Sequence, residues 1–343
     1  QFTPENCAIT RICGCYVDHE KEKKAELKKA FLSLPEEEAF KYFDIFRHTL
    51  SGTLGKNMVT MEFPLDQELS GGTQEFLLKL RDSRLEDDLL LEEFYDKVIE
   101  SYDYPENYYI ILIHAVYDVP GKSSDGLEMF DASDTVYEHL MCSICPVNLS
   151  KASLSYNAQT NNIEDRIRDW IVEMPVKGFL FPAFTDRASD VHQILYYTKK
   201  PEELQPAFIE HVLGSQIPLT AGDQKTSFQA IVSDTLGSSC DYETVRNIHD
   251  NLNEMLEEAK EAPEPLELSR PDIKRLLEKS GASKEQMETF DREFSDVMGE
   301  QTSVLASNIA STRTFKIETP DVIVKVNPDR SDLVETREID GRR

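Results

Sequence analysis

Tyr108-Tyr109-Ile110-Ile111-Leu112-Ile113-His114-Ala115-Val116-Tyr117 is the stretch that decides the fold. Its successive apolar side chains leave neither face of an extended chain suited to water, so it reads as a central strand buried on both sides. It is the longest apolar run in the chain. A bilayer span needs roughly 18 such residues, so this run excludes itself as one, and no membrane partner is expected.

Working outward, the flanking segments alternate between helical and extended signals. Toward the N-terminus, Cys7 to Val17 reads as a strand and Lys21 to Leu34 as a helix, with Leu27, Ala30, Phe31 and Leu34 on one face. Ser33 and Pro35 are placed to start a second helix carrying Phe40, Phe43, Phe46 and Leu50. Met58 to Phe63 reads as a short strand, followed by helices from Thr73 to Leu80 and from Asp87 to Tyr102.

On the other side, Val136 to Val147 is a second strand. Ile163 to Met174 fits a helix and a strand equally, and Phe179 to Phe184 and Val191 to Tyr197 read as neighbouring strands. Helices are expected over Glu202 to Leu213, Ala221 to Leu236 and a segment capped by Asp241. Ser283-Lys284-Glu285-Gln286 has the form of a capping box. Arg313 to Ile317, Val322 to Val326 and Leu333 to Ile339 return to strand character.

The sum is an α+β protein with a central mixed β-sheet flanked by helices, then a helical C-terminal region with a small terminal β element. At 343 residues, two domains are expected, 1–200 holding the main sheet and 201–343 mainly helical. The chain starts without Met, and Asp340-Gly341 is a hairpin turn without a following strand, so further residues are expected at both ends.

Composition narrows the function classes. There are 64 acidic against 37 basic residues, a net charge of −27, which disfavours general binding to a nucleic-acid backbone. The six cysteines, at 7, 13, 15, 142, 145 and 240, are too few and too uneven for a secreted disulfide framework, so reduced thiols in a cytoplasm are expected.

Two polar sites stand out. Asp186, Arg187, Asp190 and His192 fall between the last two central strands. Asp190 and His192, two apart, would share a face of a strand, and His114 could join them. Carboxylates with an imidazole suit a divalent metal or acid–base chemistry. Asp186 and Asp190 equally suit turn capping, with Arg187 pairing to either, and that is the simpler reading. The second site is the cysteine pairs Cys13/Cys15 and Cys142/Cys145, which could hold zinc. Against zinc, an odd spacing on a strand puts Cys142 and Cys145 on opposite faces, and buried packing is the ordinary role of a free thiol. No cofactor is otherwise expected, and Gly52 to Asn57 lacks the spacing of a phosphate loop.

The chain resembles domain-of-unknown-function family 4317, a group of bacterial proteins. The resemblance is carried by "QFTPENCAITRICGCYVD", "FLSLPEEEAFKYFDIFRHTLSGTLGKN", "GGTQEFLLKLRDSRLEDD", "YDVPGKSSDGLEMFDASDTVYEHLMCSICPVNLS", "RDWIVEMPVKGFLFPAFTDRASDVHQILYYTKKPEELQ" and "ASNIASTRTFKIETPDVIVKVNPDR". It runs from the first residue nearly to the last. It implies an intracellular bacterial setting and assigns no reaction, substrate or catalytic residue. Three functions therefore stand as expectations. The first is a binding or regulatory protein acting through a partner. The others are a metal-dependent hydrolase using the Asp/His group, and a zinc-stabilised structural protein.

Overall fold

The structure, a computed structural model, describes residues 2–3, 7–119, 121–122, 128–129, 135–185, 188–240, 242–262, 264–299, 303–310, 315–318 and 323–326. It forms two compact units, Gln1–Pro218 and Leu219–Arg343.

The first unit runs β1 (Ile9–Val17), β2 (Lys23–Ala30), α1 (Glu36–Thr49), β3 (Met58–Glu62), α2 (Thr73–Asp82), α3 (Asp88–Ser101) and β4 (Tyr108–Val119). It continues through β5 (Gly121–Lys122), β6 (Glu128–Met129), β7 (Thr135–Leu149), β8 (Leu154–Asn157), β9 (Asn162–Asp165), β10 (Trp170–Val172) and β11 (Lys177–Phe181). β12 (Ala183–Thr185), β13 (Ala188–Asp190), β14 (Gln193–Thr198) and α4 (Pro206–His211) complete it.

The main sheet has the order β2-β1-β4-β7-β11-β14-β3, with β10 pairing β7 outside that path. Every one of these pairings is antiparallel, so the sheet is not the mixed one expected. Each strand returns beside a neighbour of opposite direction, and no crossover helix joins parallel partners. The α+β class stands.

β4 does lie at the centre, buried on both sides. Ile110 and Leu112 join one core with Cys13, Cys142, Phe179 and Tyr196 beneath α2, α3 and α4, which supply Leu80, Phe94, Val98 and Phe208. Ile111 and Ile113 join the opposite core with Ile12, Met141 and Phe43 and Phe46 of α1. Truncating a residue such as Leu112 to Ala at this depth costs about 2–5 kcal/mol.

Several local expectations are corrected. Lys21 to Leu34 is not a helix: β2 pairs with β1 from Arg11↔Ala30 to Val17↔Lys23, and only a short 3-10 turn, Phe31–Ser33, follows. The helix-forming composition of that segment loses to the ladder and to ion pairs from Lys23 to Glu92 and Asp96 and from Lys28 to Asp88 of α3. Ser33 does not cap α1: its hydroxyl donates to the Ala30 carbonyl, and Pro35 holds the cap position. Phe40 of the expected α1 stripe is exposed. The helix near residue 202 is confined to Pro206–His211. Because Phe208, Ile209, Val212 and Leu213 pack into the sheet's core, the first unit extends past residue 200 to Pro218.

The second unit contains α5 (Ala221–Leu236), α6 (Tyr242–Glu258), β15 (Glu267–Leu268), α7 (Arg270–Lys279), α8 (Lys284–Met298), β16 (Val304–Leu305), α9 (Ala306–Ile309), β17 (Phe315–Glu318) and β18 (Ile323–Val326). Phe228, Ile231, Leu252, Leu277, Phe290 and Phe294 form its core. The Ser283/Gln286 capping box at α8 is present, and similar boxes open α5 and α7. Asp241, Leu333 to Ile339 and Asp340-Gly341 lie outside the described residues. Among the described residues, no helix is long and apolar enough to cross a membrane.

Candidate functional site

The polar group between β11 and β14 is only partly placed, since Asp186 and Arg187 lie outside the described residues. Asp190 ends β13, and His192 sits in the turn before β14 rather than on a strand. The Asp190 carboxylate accepts the His192 backbone N–H at 3.0 Å, so it organises the turn. The exposed His192 ring meets Glu68 at 2.8 Å, and that carboxylate raises the imidazole's pKa. His114 does not join them: β7 and β11 separate its strand from β14.

The cysteines divide between the two cores. Cys13, Cys15 and Cys142 face one side of the sheet and Cys145 the other, so the two pairs do not converge on one ion. Burial pushes Cys13 up to about 11 and Cys15 up to about 12, and raises Cys142 and Cys145 further. Without a metal, these thiols keep their protons at neutral pH. Among the described residues, the one group of potential metal ligands is Asp18, Glu20 and Glu22 in the β1–β2 turn. There the Lys24 ammonium already lies 2.9 Å from Asp18 and 2.5 Å from Glu22.

His114 itself is the hub of a different arrangement. It is fully buried on β4, on the face covered by α2 and α3. Nδ1 lies 2.6 Å from the Thr10 hydroxyl oxygen, and Nε2 lies 2.8 Å from Glu138 Oε1. The register of β1 against β4 slips between Ile9 and Arg11, so Thr10 is the bulged residue whose side chain is turned onto His114. Glu138 stands on β7 two positions before Leu140, the residue opposite His114, and so shares its face.

Arg84 approaches the same Glu138 oxygen at 3.8 Å from the α2–α3 connection. There, Arg84 (φ 53°) and Leu85 (φ 57°) both adopt left-handed backbone. Such geometry costs about 1–3 kcal/mol per residue and is held here by the complete burial of Leu85. Burial lowers the His114 pKa, Glu138 opposes the shift, and Arg84 and Arg81 add to it. The array can pass a proton between an exposed hydroxyl, an imidazole and a half-exposed carboxylate. Sequence reading singled out His114 but missed Thr10 and Glu138. The alternation of Glu138 with Leu140 was the available signal for Glu138, while the bulge leaves none for Thr10.

The second feature is apolar. Between Leu149 and Met174, nine large hydrophobic residues are exposed, among them Leu154 (72%), Ile167 (85%) and Trp170 (53%), the chain's single tryptophan. Six of them lie on the strands of the β8–β9 hairpin and on β10, while Leu149 ends β7 and Ile167 and Met174 flank β10. Tyr156 and Ile163 are register partners and so stand side by side on one face of the hairpin. β10 pairs on one side with β7, Trp170↔Leu149 to Val172↔Val147, and its other edge meets no strand among the described residues. The edge strand β2, at one end of the sheet, is built differently, since it carries Lys23, Lys24, Lys28 and Lys29. Lysines of that kind blunt an edge against strand addition, and β10 has none. Apolar residues exposed together to this extent differ from the singly scattered ones usual on a protein surface.

Compared with known proteins, residues 1–343 match a family model described as domain of unknown function (DUF4317). No curated protein matches the chain.

Proposed function

The chain belongs to the family of the domain of unknown function DUF4317, and on that premise we propose that it is a binding protein that acts through a macromolecular partner docked on residues 149–174. The observation that carries this reading is the exposure of Trp170, Ile171 and Val172 on an edge strand, beside Leu154, Tyr156, Ile163 and Ile167. The free thiols of Cys7, Cys13, Cys15, Cys142 and Cys145 support a reducing compartment, and a bacterial cytoplasm is part of the proposal.

The test is photocrosslinking in cells from a photoreactive residue placed at Leu154 or Ile167. A discrete adduct, lost when Trp170 and Ile163 are changed to Ser, supports the reading. The same adduct from a reactive residue on the α1 face, or no adduct from either position, counts against it.

A second reading, hydrolysis, rests on the Thr10–His114–Glu138 chain. The imidazole is within reach of the Thr10 hydroxyl and is oriented by a carboxylate, which is the logic of an activated nucleophile. Ester hydrolysis by the purified chain that disappears in both Thr10→Val and His114→Gln favours it. Hydrolysis unchanged in both variants removes it.

A further inference from the structure

We propose that β10 receives an extended segment of its partner as an added strand, and that this segment is apolar with Lys or Arg at its ends. The proposal rests on the reading of residues 149–174 as the docking surface and specifies how the partner is held.

The backbone argument comes from the ladder. The Ser150 N–H donates to the Asp169 carbonyl at 2.8 Å, and the Glu173 N–H donates to the Pro146 carbonyl at 2.9 Å. Asp169 and Glu173 therefore turn toward β7, and with alternation so does Ile171. Trp170 and Val172 must then turn their N–H and C=O groups away from β7, toward the edge that meets no strand among the described residues. An added strand can take these four backbone groups, and the side chains supply its flanking contacts. Trp170 and Val172 lie on one face and Ile171 on the other, all exposed, so an incoming strand meets apolar surface on either side.

Charge selects the partner. Exposed Asp169 and Glu173 bracket the three apolar residues, and the whole chain carries a net charge of −27. A second copy of so acidic a chain is repelled, whereas a segment with basic ends is drawn in.

The test uses wild-type protein and a synthetic peptide of alternating valine and threonine with two lysines at each end. Trp170 is the reporter, since no other tryptophan contributes. Saturable blue-shifted emission is expected, with binding weakened at least about tenfold when the lysines are replaced by glutamates. The same loss is expected when alternate peptide nitrogens are methylated. Val172→Pro provides a check from the protein side. Its N–H points away from β7, so the substitution keeps the β7 pairing but removes a donor from the edge. Unchanged circular dichroism with weakened peptide binding is the expected result.

Binding indifferent to N-methylation and to Val172→Pro overturns strand addition while leaving the apolar docking surface in place. Binding indifferent to the lysine-to-glutamate change overturns the charge assignment. No saturable change with any peptide overturns the proposal, as does a concentration-dependent dimer in sedimentation that Val172→Pro abolishes.

Discussion

The Thr10 hydroxyl oxygen lies 2.6 Å from Nδ1 of His114 and 3.1 Å from the carbonyl oxygen of the same residue. A hydroxyl has one proton to give, so Thr10 can serve only one of these acceptors at a time. With a neutral ring whose Nε2–H donates to Glu138, the Thr10 proton goes to Nδ1. With a protonated ring, Nδ1–H donates to Thr10, and Thr10 passes its own proton to the carbonyl. The protonation state of a buried imidazole thus sets how the bulge of β1 is tied to β4.

Glu138→Gln is expected to lower the His114 pKa further, because Glu138 is the group that opposes the effect of burial. NMR titration of the His114 ring reads this directly, and an upward shift contradicts the assignment. Thr10→Val removes the hydroxyl from both acceptors and should cost about 1 kcal/mol in urea unfolding at neutral pH.

His139 gives a sharper pH dependence. It is buried on the face of β7 opposite His114, stacked on Tyr137 with ring centroids 4.3 Å apart. Neither ring nitrogen meets a hydrogen-bond partner among the described residues, and burial outweighs the Tyr137 backbone, which favours the charged ring. Burial pushes its pKa down to about 4. The unfolded chain, with an ordinary histidine value, then binds the proton more readily than the folded one. The contribution of this ring to stability is full above the unfolded value and is lost as pH falls toward 4. Between about pH 7.5 and about pH 5 the loss amounts to about 2 kcal/mol. His139→Phe should keep the stacking and flatten that part of the profile. An unchanged pH slope in the variant would falsify the assignment.

Lys177 titrates on the alkaline side. Its ammonium is buried, donates to Thr198 Oγ1 at 2.6 Å and to the Glu203 carbonyl, and has its pKa pushed down to about 8. The unfolded chain holds this proton more tightly, so stability rises with pH from about 8 to the ordinary lysine value. Measured against Lys177→Met, the wild-type protein should gain in denaturant midpoint from about pH 7.5 to about pH 10, with the difference read by urea titration. A flat difference across that window refutes the assignment.

Gly178 is required by close packing of α1 on the sheet. A Cβ there would stand 2.5 Å from the Cys142 carbonyl oxygen and 2.6 Å from Cγ2 of Thr49. The Thr49 hydroxyl is itself 2.7 Å from that of Ser143, which ties the helix to β7. Gly178→Ala should therefore destabilise the protein by about 1–3 kcal/mol, measured by thermal unfolding. Pairing it with Thr49→Ser, which removes the crowded methyl, should restore part of the loss.

The sheet was legible wherever burial on both faces imposed an apolar run, as in β4, β7 and β11. Those runs constrain the chain more strongly than any local preference. β2 was not legible, because Lys23 to Ala30 has helix-forming composition and its strand state depends on partners in β1 and α3 that are distant in sequence. Ile163 to Met174 stayed ambiguous because its apolar residues face solvent, so burial periodicity had nothing to act on. At the polar sites, two-residue spacing placed Asp190 near His192 but could not reveal that a turn separates them. His114 was visible from the sequence. Its partners depend on a bulge and on strand register, which only the folded sheet specifies.

The pairing of β3 with β14 bears on how the chain is made. Glu62 and Gln193 sit opposite each other, 131 positions apart in sequence. During synthesis β3 leaves the ribosome long before its partner exists, and the intervening chain must be added first. Until then the short strand waits with its edge open, alongside helices that have no finished sheet to cover. Contacts of such long sequence separation slow folding and expose unfinished surfaces to misassembly. Translation pauses within residues 62–193 should therefore lower the yield of native protein more than pauses placed after Thr198.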